Sequence, residues 1–353
     1  MSQTNKSIAI IFLGGYVFSQ ARNRVVGVGI VFSVLLLLSL NVAHAANVGF
    51  QPVSIPNGND QPLAAGVWYP TNAQPSQQTI DSGQETVAPN APVTGRNLPL
   101  VVISHGSGGS FSGHYDTAIA LVQAGFVVAA VRHRGDSLDD HTHPEQIWVR
   151  PQQLKRLTDY ILNDWPNHTS IDASRIGAFG FSAGGFTVLV AAGAMPDLNQ
   201  SKPYCRDHPS TEICTIVRSK PEFIGQIAKL SPSVWIHDDR IRAIVVAAPS
   251  AGFSFGKQGL ADVRVPVQLW SAEFDHVLPA PDYGDAVRAA LPISPEYHVV
   301  ANADHYDFLP VCGAAVAHHV PQICTSRPGF DRAAFHEQFN RDIVTFFEHT
   351  LAQ

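Results

Sequence analysis

Six short apolar runs decide most of the architecture open to this chain. They are Leu100 to Ser104, Phe126 to Val131, Arg175 to Phe181, Ile241 to Ala247, Val265 to Trp270 and Tyr297 to Val300. A strand with one wet face alternates apolar and polar residues, whereas a run without alternation buries both faces and needs cover on each side, as in a parallel sheet. Leu63 to Tyr69 does alternate and reads as an early strand. Helical spacing lies between the runs: Tyr115 to Ala124, closed by Gly125; Gln152 to Trp165, with Pro151 near its first turn and Pro166 just beyond its end; Ser182 to Ala194; Pro281 to Leu291; and Arg332 to Thr350. Strand and helix alternate along the chain, which predicts an α/β fold: a mostly parallel central sheet with helices on both faces. Thr71 to Pro99, rich in Gln, Pro, Ser and Thr, reads as a long surface loop. Met195 to Arg240 interrupts the alternation and reads as a small insertion or cap over the sheet edge.

The first 45 residues stand apart. Lys6, Arg22 and Arg24 precede any acidic residue, Val25 to Leu40 is almost wholly apolar, and Ala43 and Ala45 supply the small residues of a signal-peptidase site. The expectation is a signal peptide over 1–45, a domain over 46–353, and a secreted or periplasmic product. An uncleaved N-terminal anchor is the alternative, although the run is short against the roughly 20 residues of a bilayer span. No later segment is long and apolar enough to span. Cys205, Cys214, Cys312 and Cys324 all follow the leader, an even set that suits an oxidising compartment. Three pairings are possible. Closeness in sequence favours 205 with 214 and 312 with 324.

With 45% hydrophobic residues and a formal charge of −6, the chain is globular and lacks the basic run that nucleic-acid binding requires. Nucleotide-binding glycine loops are absent, and so are closely spaced zinc-ligand pairs. His141 and His143, with Asp139, Asp140 and Glu145, read as a solvated loop. No cofactor or metal is expected.

The chemistry gathers at Gly180-Phe181-Ser182-Ala183-Gly184, a G-x-S-x-G sequence between a strand and a helix. In that context the glycines allow a sharp turn that lifts the serine Oγ clear of the strand end. Ser182 is the candidate nucleophile. His105-Gly106-Ser107-Gly108-Gly109 follows the strand ending at Ser104 and can aim N–H groups at an oxyanion. The candidate donors are the amides of Ser107 and Ala183. His305, on the loop after the last strand, is the candidate base. Asp275, after the strand ending at Trp270, is the candidate acid, with Glu273 as its rival. His105, His133, Asp136 and Phe111 are candidates for lining the substrate cleft, and Phe111, Trp148 and Phe253 for an acyl pocket.

In this order, His105-Gly106, the G-x-S-x-G sequence, Asp275 and His305 resemble the α/β-hydrolase superfamily. Within it the chain is similar to exported bacterial proteins labelled predicted dienelactone hydrolases, which are related to platelet-activating-factor acetylhydrolases. The likeness is carried also by Arg132-His133-Arg134-Gly135-Asp136-Ser137, Arg150-Pro151-Gln152-Gln153-Leu154, Val265 to Trp270, and Ala303 to Leu309. It implies a metal-independent serine esterase acting on small or lipid-like carboxylic esters through an acyl-enzyme. Two positions depart from those relatives. Ser182 stands where dienelactone hydrolases use cysteine, and Pro249-Ser250 stands where the acetylhydrolases carry their acid. Amidase, peptidase or phospholipid acetyl-hydrolase chemistry on the same residues, and a non-catalytic binding protein, are the other readings. Oligomeric state is not legible.

Overall fold

The computed structural model describes residues 46–81 and 83–352. The leader expected at 1–45 lies outside them. The strands are β1 (Asn47–Asn57), β2 (Asp60–Thr71), β3 (Ser76–Ile80), β4 (Gly83–Pro89), β5 (Leu98–Ser104), β6 (Val127–Val131), β7 (Ile171–Phe181), β8 (Ile241–Ala247), β9 (Val267–Ala272) and β10 (Glu296–Val300). They form one sheet in the order β10-β9-β8-β7-β5-β6-β2-β1-β4-β3. From β10 to β6 every pairing is parallel. The β6–β2 and β2–β1 pairings are antiparallel.

The helices are α1 (Tyr115–Gln123), α2 (Arg150–Asn163), α3 (Ala183–Ala191), α4 (Ser201–Asp207), α5 (Glu212–Ser219), α6 (Pro221–Ile227), α7 (Gly284–Ala290), α8 (Ala314–His319), α9 (Pro321–Cys324) and α10 (Arg332–Thr350). The apolar runs divide their residues by parity between two cores, as the two-residue repeat of a strand requires. Leu100, Val102, Ala178, Ile244 and Val246 pack with Leu157 and Ile161 of α2 and Phe186 of α3. Val101, Ile103, Phe179, Val245 and Ala247 pack on the other face with Leu121 of α1 and Phe339, Ile343 and Phe347 of α10. Fully burying a side chain of this size contributes roughly 1.5–3 kcal/mol, so continuous apolarity is what allows helices on both faces.

One strand was not foreseen at the N-terminal side, and one expectation fails there. Asn47–Asn57 is a strand, joined to β2 through Gly58-Asn59, with Gly58 at φ 65°. That is the backbone a tight hairpin demands of its turn residues. Thr71 to Pro99 is not a continuous loop, because β3 and β4 form an antiparallel hairpin within it. Its strands are polar on their outer faces, which gives a loop-like composition. Ile80 and Val87 nonetheless point inward, and buried Glu85 accepts a 2.8 Å hydrogen bond from the Trp68 indole.

The insertion differs from expectation in position. Residues 195–240 carry α4, α5 and α6, and Leu198, Ile213, Ile216 and Phe223 line a cavity beside Ser182 at the C-terminal end of β7, not a sheet edge. Cys205 bridges Cys214 between α4 and α5, and Cys312 bridges Cys324 around α8 and α9. Among the described residues no helix is long and apolar enough to cross a membrane.

Candidate active site

β5 has β6 on one side and β7 on the other. The order in which successive strands are added therefore reverses at this strand, and the crevice beyond its C-terminal end is where ligands bind in open parallel sheets. The turns after β5 and β7 both open there.

The turn after β7 is sharp. Ser182 has φ 55° and ψ −117°, a backbone conformation rarely adopted by residues other than glycine. Backbone bonds hold it there: the Ser182 N–H donates to Ala247 O (2.9 Å), and the Ser182 carbonyl accepts from Ser250 N–H (2.9 Å) and Phe186 N–H (3.2 Å). Gly180 and Gly184 are demanded by close approach. A Cβ on Gly180 would lie 2.1 Å from Gly184 O, and one on Gly184 would lie 1.8 Å from Ser104 O. The strand, the turn and the first helical residues of α3 pack closer than any side chain permits.

His305 arrives from the loop after β10. Its Nε2 lies 3.1 Å from Ser182 Oγ and its Nδ1 2.8 Å from Asp275 Oδ2. The imidazole packs on Phe181 at 4.9 Å between ring centroids. Asp304 and Asp307 form a capping box on the short helical turn that starts at His305. Buried Arg332 of α10 ties Asp307 down at 2.9 Å. Asp275 accepts from the Val277 and Leu278 N–H groups (3.0 and 2.6 Å) on its other oxygen. Its rival Glu273 accepts instead from the Asn302 N–H at 2.8 Å. The hydroxyl, imidazole and carboxylate thus form one hydrogen-bonded line, the kind of arrangement through which a hydroxyl can pass its proton to an imidazole whose tautomer a carboxylate fixes.

Ser107, Ser182 and Ala183 line one cavity of about 80 Å³, closed by Ile213 and Ile216 from α5, Phe253, Leu278 and other apolar side chains. The N–H groups of Ser107 and Ala183 have no hydrogen-bond acceptor among the described residues, so both are available to a developing negative oxygen.

His105, His133 and Phe111 are not brought to that cavity. Phe111 packs on Phe50 and Trp68 in the core. The His133 N–H donates to His105 Nε2 (3.0 Å), which leaves the proton of His105 on Nδ1, donated to Gly106 O at 2.6 Å. His133 Nδ1 donates to Gln153 Oε1 (3.0 Å), and its Nε2 accepts from Ser104 Oγ (2.8 Å). Burial, and secondly the charge of Arg150, hold both imidazoles well below the usual histidine range, so they stay neutral and act as spacers between strands. Trp148 packs on Phe223 and lines a separate groove, whereas Phe253 does reach the cavity. The acidic loop is consumed locally: Asp139 pairs with Arg132, Asp140 accepts from Gly135 N–H, and Glu145 pairs with Lys220.

Asp136, a candidate for the cleft, is instead paired with Arg150, a pairing the sequence reading did not foresee. Arg150 and Asp136 are both buried, with Arg150 Nε 3.3 Å from Asp136 Oδ2. Asp136 accepts from Ser107 Oγ and Gly108 N–H, each at 2.9 Å. Arg150 donates to His105 O (2.7 Å) and Gly106 O (3.2 Å). Burial lowers the Arg150 pKa to about 10, partly opposed by Asp136, so it stays charged at neutral pH. The physical hint in sequence is that a lone Arg opens a helix, where the helix dipole disfavours a cation.

A family model described as BD-FAE matches residues 90–218. Among the solved structures that match, a ferulic acid esterase from Streptomyces cinnamoneus superposes with a TM-score of 0.60 at 18% sequence identity, covering 87% of this chain and 91% of that one. No curated protein matches. A likeness at this identity speaks for architecture, and with the largely parallel sheet, its helices on two faces and the strand–turn–helix at Ser182, it establishes that the chain has the α/β-hydrolase fold.

Proposed function

We propose that this protein is a serine hydrolase that cleaves carboxylic esters through an acyl-enzyme. Ser182 attacks the carbonyl as His305 takes its proton, Asp275 orients and stabilises the imidazolium, and the Ser107 and Ala183 amides hold the tetrahedral oxyanion. The acyl group leaves when the same histidine activates water. The observation that carries this reading is the unbroken line of 3.1 and 2.8 Å contacts from Ser182 Oγ through His305 to Asp275. Ser182→Ala tests it: the variant folds, and its turnover of a short p-nitrophenyl ester falls by about 10⁴-fold or more. Retention of wild-type turnover would remove the nucleophile.

The mostly apolar lining of the cavity, whose one carboxylate, Glu145, is paired with Lys220, favours an uncharged acyl group. The likeness to a ferulic acid esterase supports an aromatic acid as one such group, so methyl ferulate belongs beside p-nitrophenyl acetate in the first assay. A kinship with exported dienelactone-hydrolase-like and acetylhydrolase-like proteins is part of the same reading. Paired ester and amide substrates separate it from amidase or peptidase chemistry. We further read the chain as one catalytic domain exported after cleavage behind Ala45. Two disulfides and the clustering of His44–Gln353 into one compact unit support this. N-terminal sequencing of the exported product, beginning at Ala46, is the check.

A further inference from the structure

We propose that Arg150 and Asp136 are positioning residues that aim and polarise the Ser107 N–H of the oxyanion hole, acting through the Gly106–Ser107 peptide bond. The inference rests on the hydrolase reading above and adds to it the device that builds one of its two donors.

The argument begins with peptide planarity. The Gly106 carbonyl and the Ser107 N–H belong to one peptide unit and point in opposite directions within its plane. Whatever fixes the carbonyl therefore fixes the N–H. Gly106 O is held by the Arg150 guanidinium (3.2 Å), the His105 ring N–H (2.6 Å) and the Gly109 N–H (3.1 Å). Arg150 also holds the preceding carbonyl, His105 O, at 2.7 Å. On the next residues, Asp136 takes the Ser107 hydroxyl and the Gly108 N–H. The turn is thus gripped at its carbonyls by a cation and at its donors by an anion, and the two grips are themselves an ion pair. The Ser107 N–H takes no acceptor among the described residues, and Ser107 lines the same cavity as Ser182.

Polarisation adds to position. A hydrogen bond to a peptide oxygen draws electron density from the nitrogen and strengthens the N–H as a donor, and a charged, buried donor does so more than a neutral one. The Asp136–Arg150 pair is costly to desolvate, and an apolar pair of similar volume is often as stable. A pure packing role therefore leaves it unexplained, whereas the control of a transition-state donor accounts for both charges. Lysine cannot replace Arg150, because one ammonium cannot span two carbonyls and a carboxylate in the planar fork that guanidinium offers.

The experiment compares Ser107→Ala, Asp136→Asn, Arg150→Lys and Arg150→Met with wild type on a p-nitrophenyl ester. It also measures affinity for a trifluoromethyl ketone, which forms an oxyanion when a serine adds to it. Removal of an oxyanion donor costs about 10²–10³ in kcat in characterised enzymes. The expected losses are about 100-fold for Arg150→Met and Arg150→Lys, and about tenfold for Ser107→Ala, which keeps the amide but loosens the turn. Ketone affinity falls in proportion to kcat, while KM stays within about threefold. Folded variants that keep wild-type kcat, or that lose KM without losing ketone affinity, would overturn the proposal. Ser107→Ala leaves the buried ion pair intact and removes one of the two holds of Asp136 on the turn, and Asp136→Asn, expected to lose about tenfold or more, weakens both, so these two variants test the proposal even if the Arg150 variants do not fold. Labelling of the wild type by a fluorophosphonate separates the two levels. An adduct at Ser182 with undiminished kcat in the variants overturns this inference alone, whereas no adduct overturns the hydrolase reading with it.

Discussion

The turn at Ser182 and the helical segment 195–240 face the same cavity but are built by opposite means. The turn is backbone work. Its strained serine is held by main-chain bonds to Ala247, Phe186 and Ser250, its glycines pack against main-chain atoms, and α3 behind it is buried along its whole length. The segment is side-chain work: three helices of seven or eight residues, one disulfide and an ion pair from Lys220 to Glu145, with Ile213 and Ile216 turned toward the substrate space. Helices this short gain little from their own hydrogen bonds and depend on tertiary contacts. On the proposed reading, chemistry belongs to the part close-packed through its main chain and selectivity to the part whose side chains can be exchanged.

If the contrast holds, changes in the turn are all-or-none and changes in the segment are graded. Gly184→Ala drives a methyl into Ser104 O and Ser104 C, which are backbone atoms that cannot yield. A loss of about 3 kcal/mol or more is expected, read as failure to accumulate folded protein; a soluble variant with normal melting would show that the turn is not close-packed. Next in size is the acid. Asp275→Asn should fold and lose about 10⁴ in kcat, since the amide presents the wrong partner to His305 Nδ1, whereas Glu273→Gln should stay within about threefold. The reverse result would move the acid to Glu273.

On the other side of the comparison, Ile216→Ala enlarges the cavity. The ratio of kcat/KM for butyryl over acetyl ester should rise about five- to tenfold, as a change of a few methylenes allows, with the acetyl rate little altered. An unchanged ratio would take α5 out of the acyl pocket. The smallest kinetic effect belongs to Cys205→Ser with Cys214→Ser. Opening this short loop should lower stability by about 2–3 kcal/mol and leave kcat on the acetyl ester within about threefold. A kcat collapse equal to that of Asp275→Asn would mean that the segment builds the reacting geometry after all.

The parts legible in sequence were those with a local signature. Continuous apolar runs marked the buried strands because only burial on both faces tolerates them, and strand–turn–helix context singled out Ser182. His305 and Asp275 were chosen by their places after β10 and β9, since such loops converge at one end of a parallel sheet, and the structure brings both into line with Ser182. The hairpin of β3 and β4 was missed because Gln78, Thr79 and Glu85 look like loop residues, and only the inward-facing Ile80 and Val87 reveal the pairing. Asp136 and Arg150 come from different elements, and an ion pair between them leaves no periodic trace. For the same reason His105 and His133, which stand at strand ends as a cleft residue would, turned inward. Position along a strand does not tell which way a ring points when a neighbouring backbone N–H is waiting for an acceptor.

Identifying the nucleophile by covalent capture addresses the whole account at once. After incubation with a fluorophosphonate, peptide mass mapping should place a single phosphonate adduct on Ser182, formed in step with loss of ester turnover and slowed at least 100-fold in His305→Ala. Turnover abolished by the reagent with the adduct on another residue, or persisting with Ser182 fully modified, would contradict it.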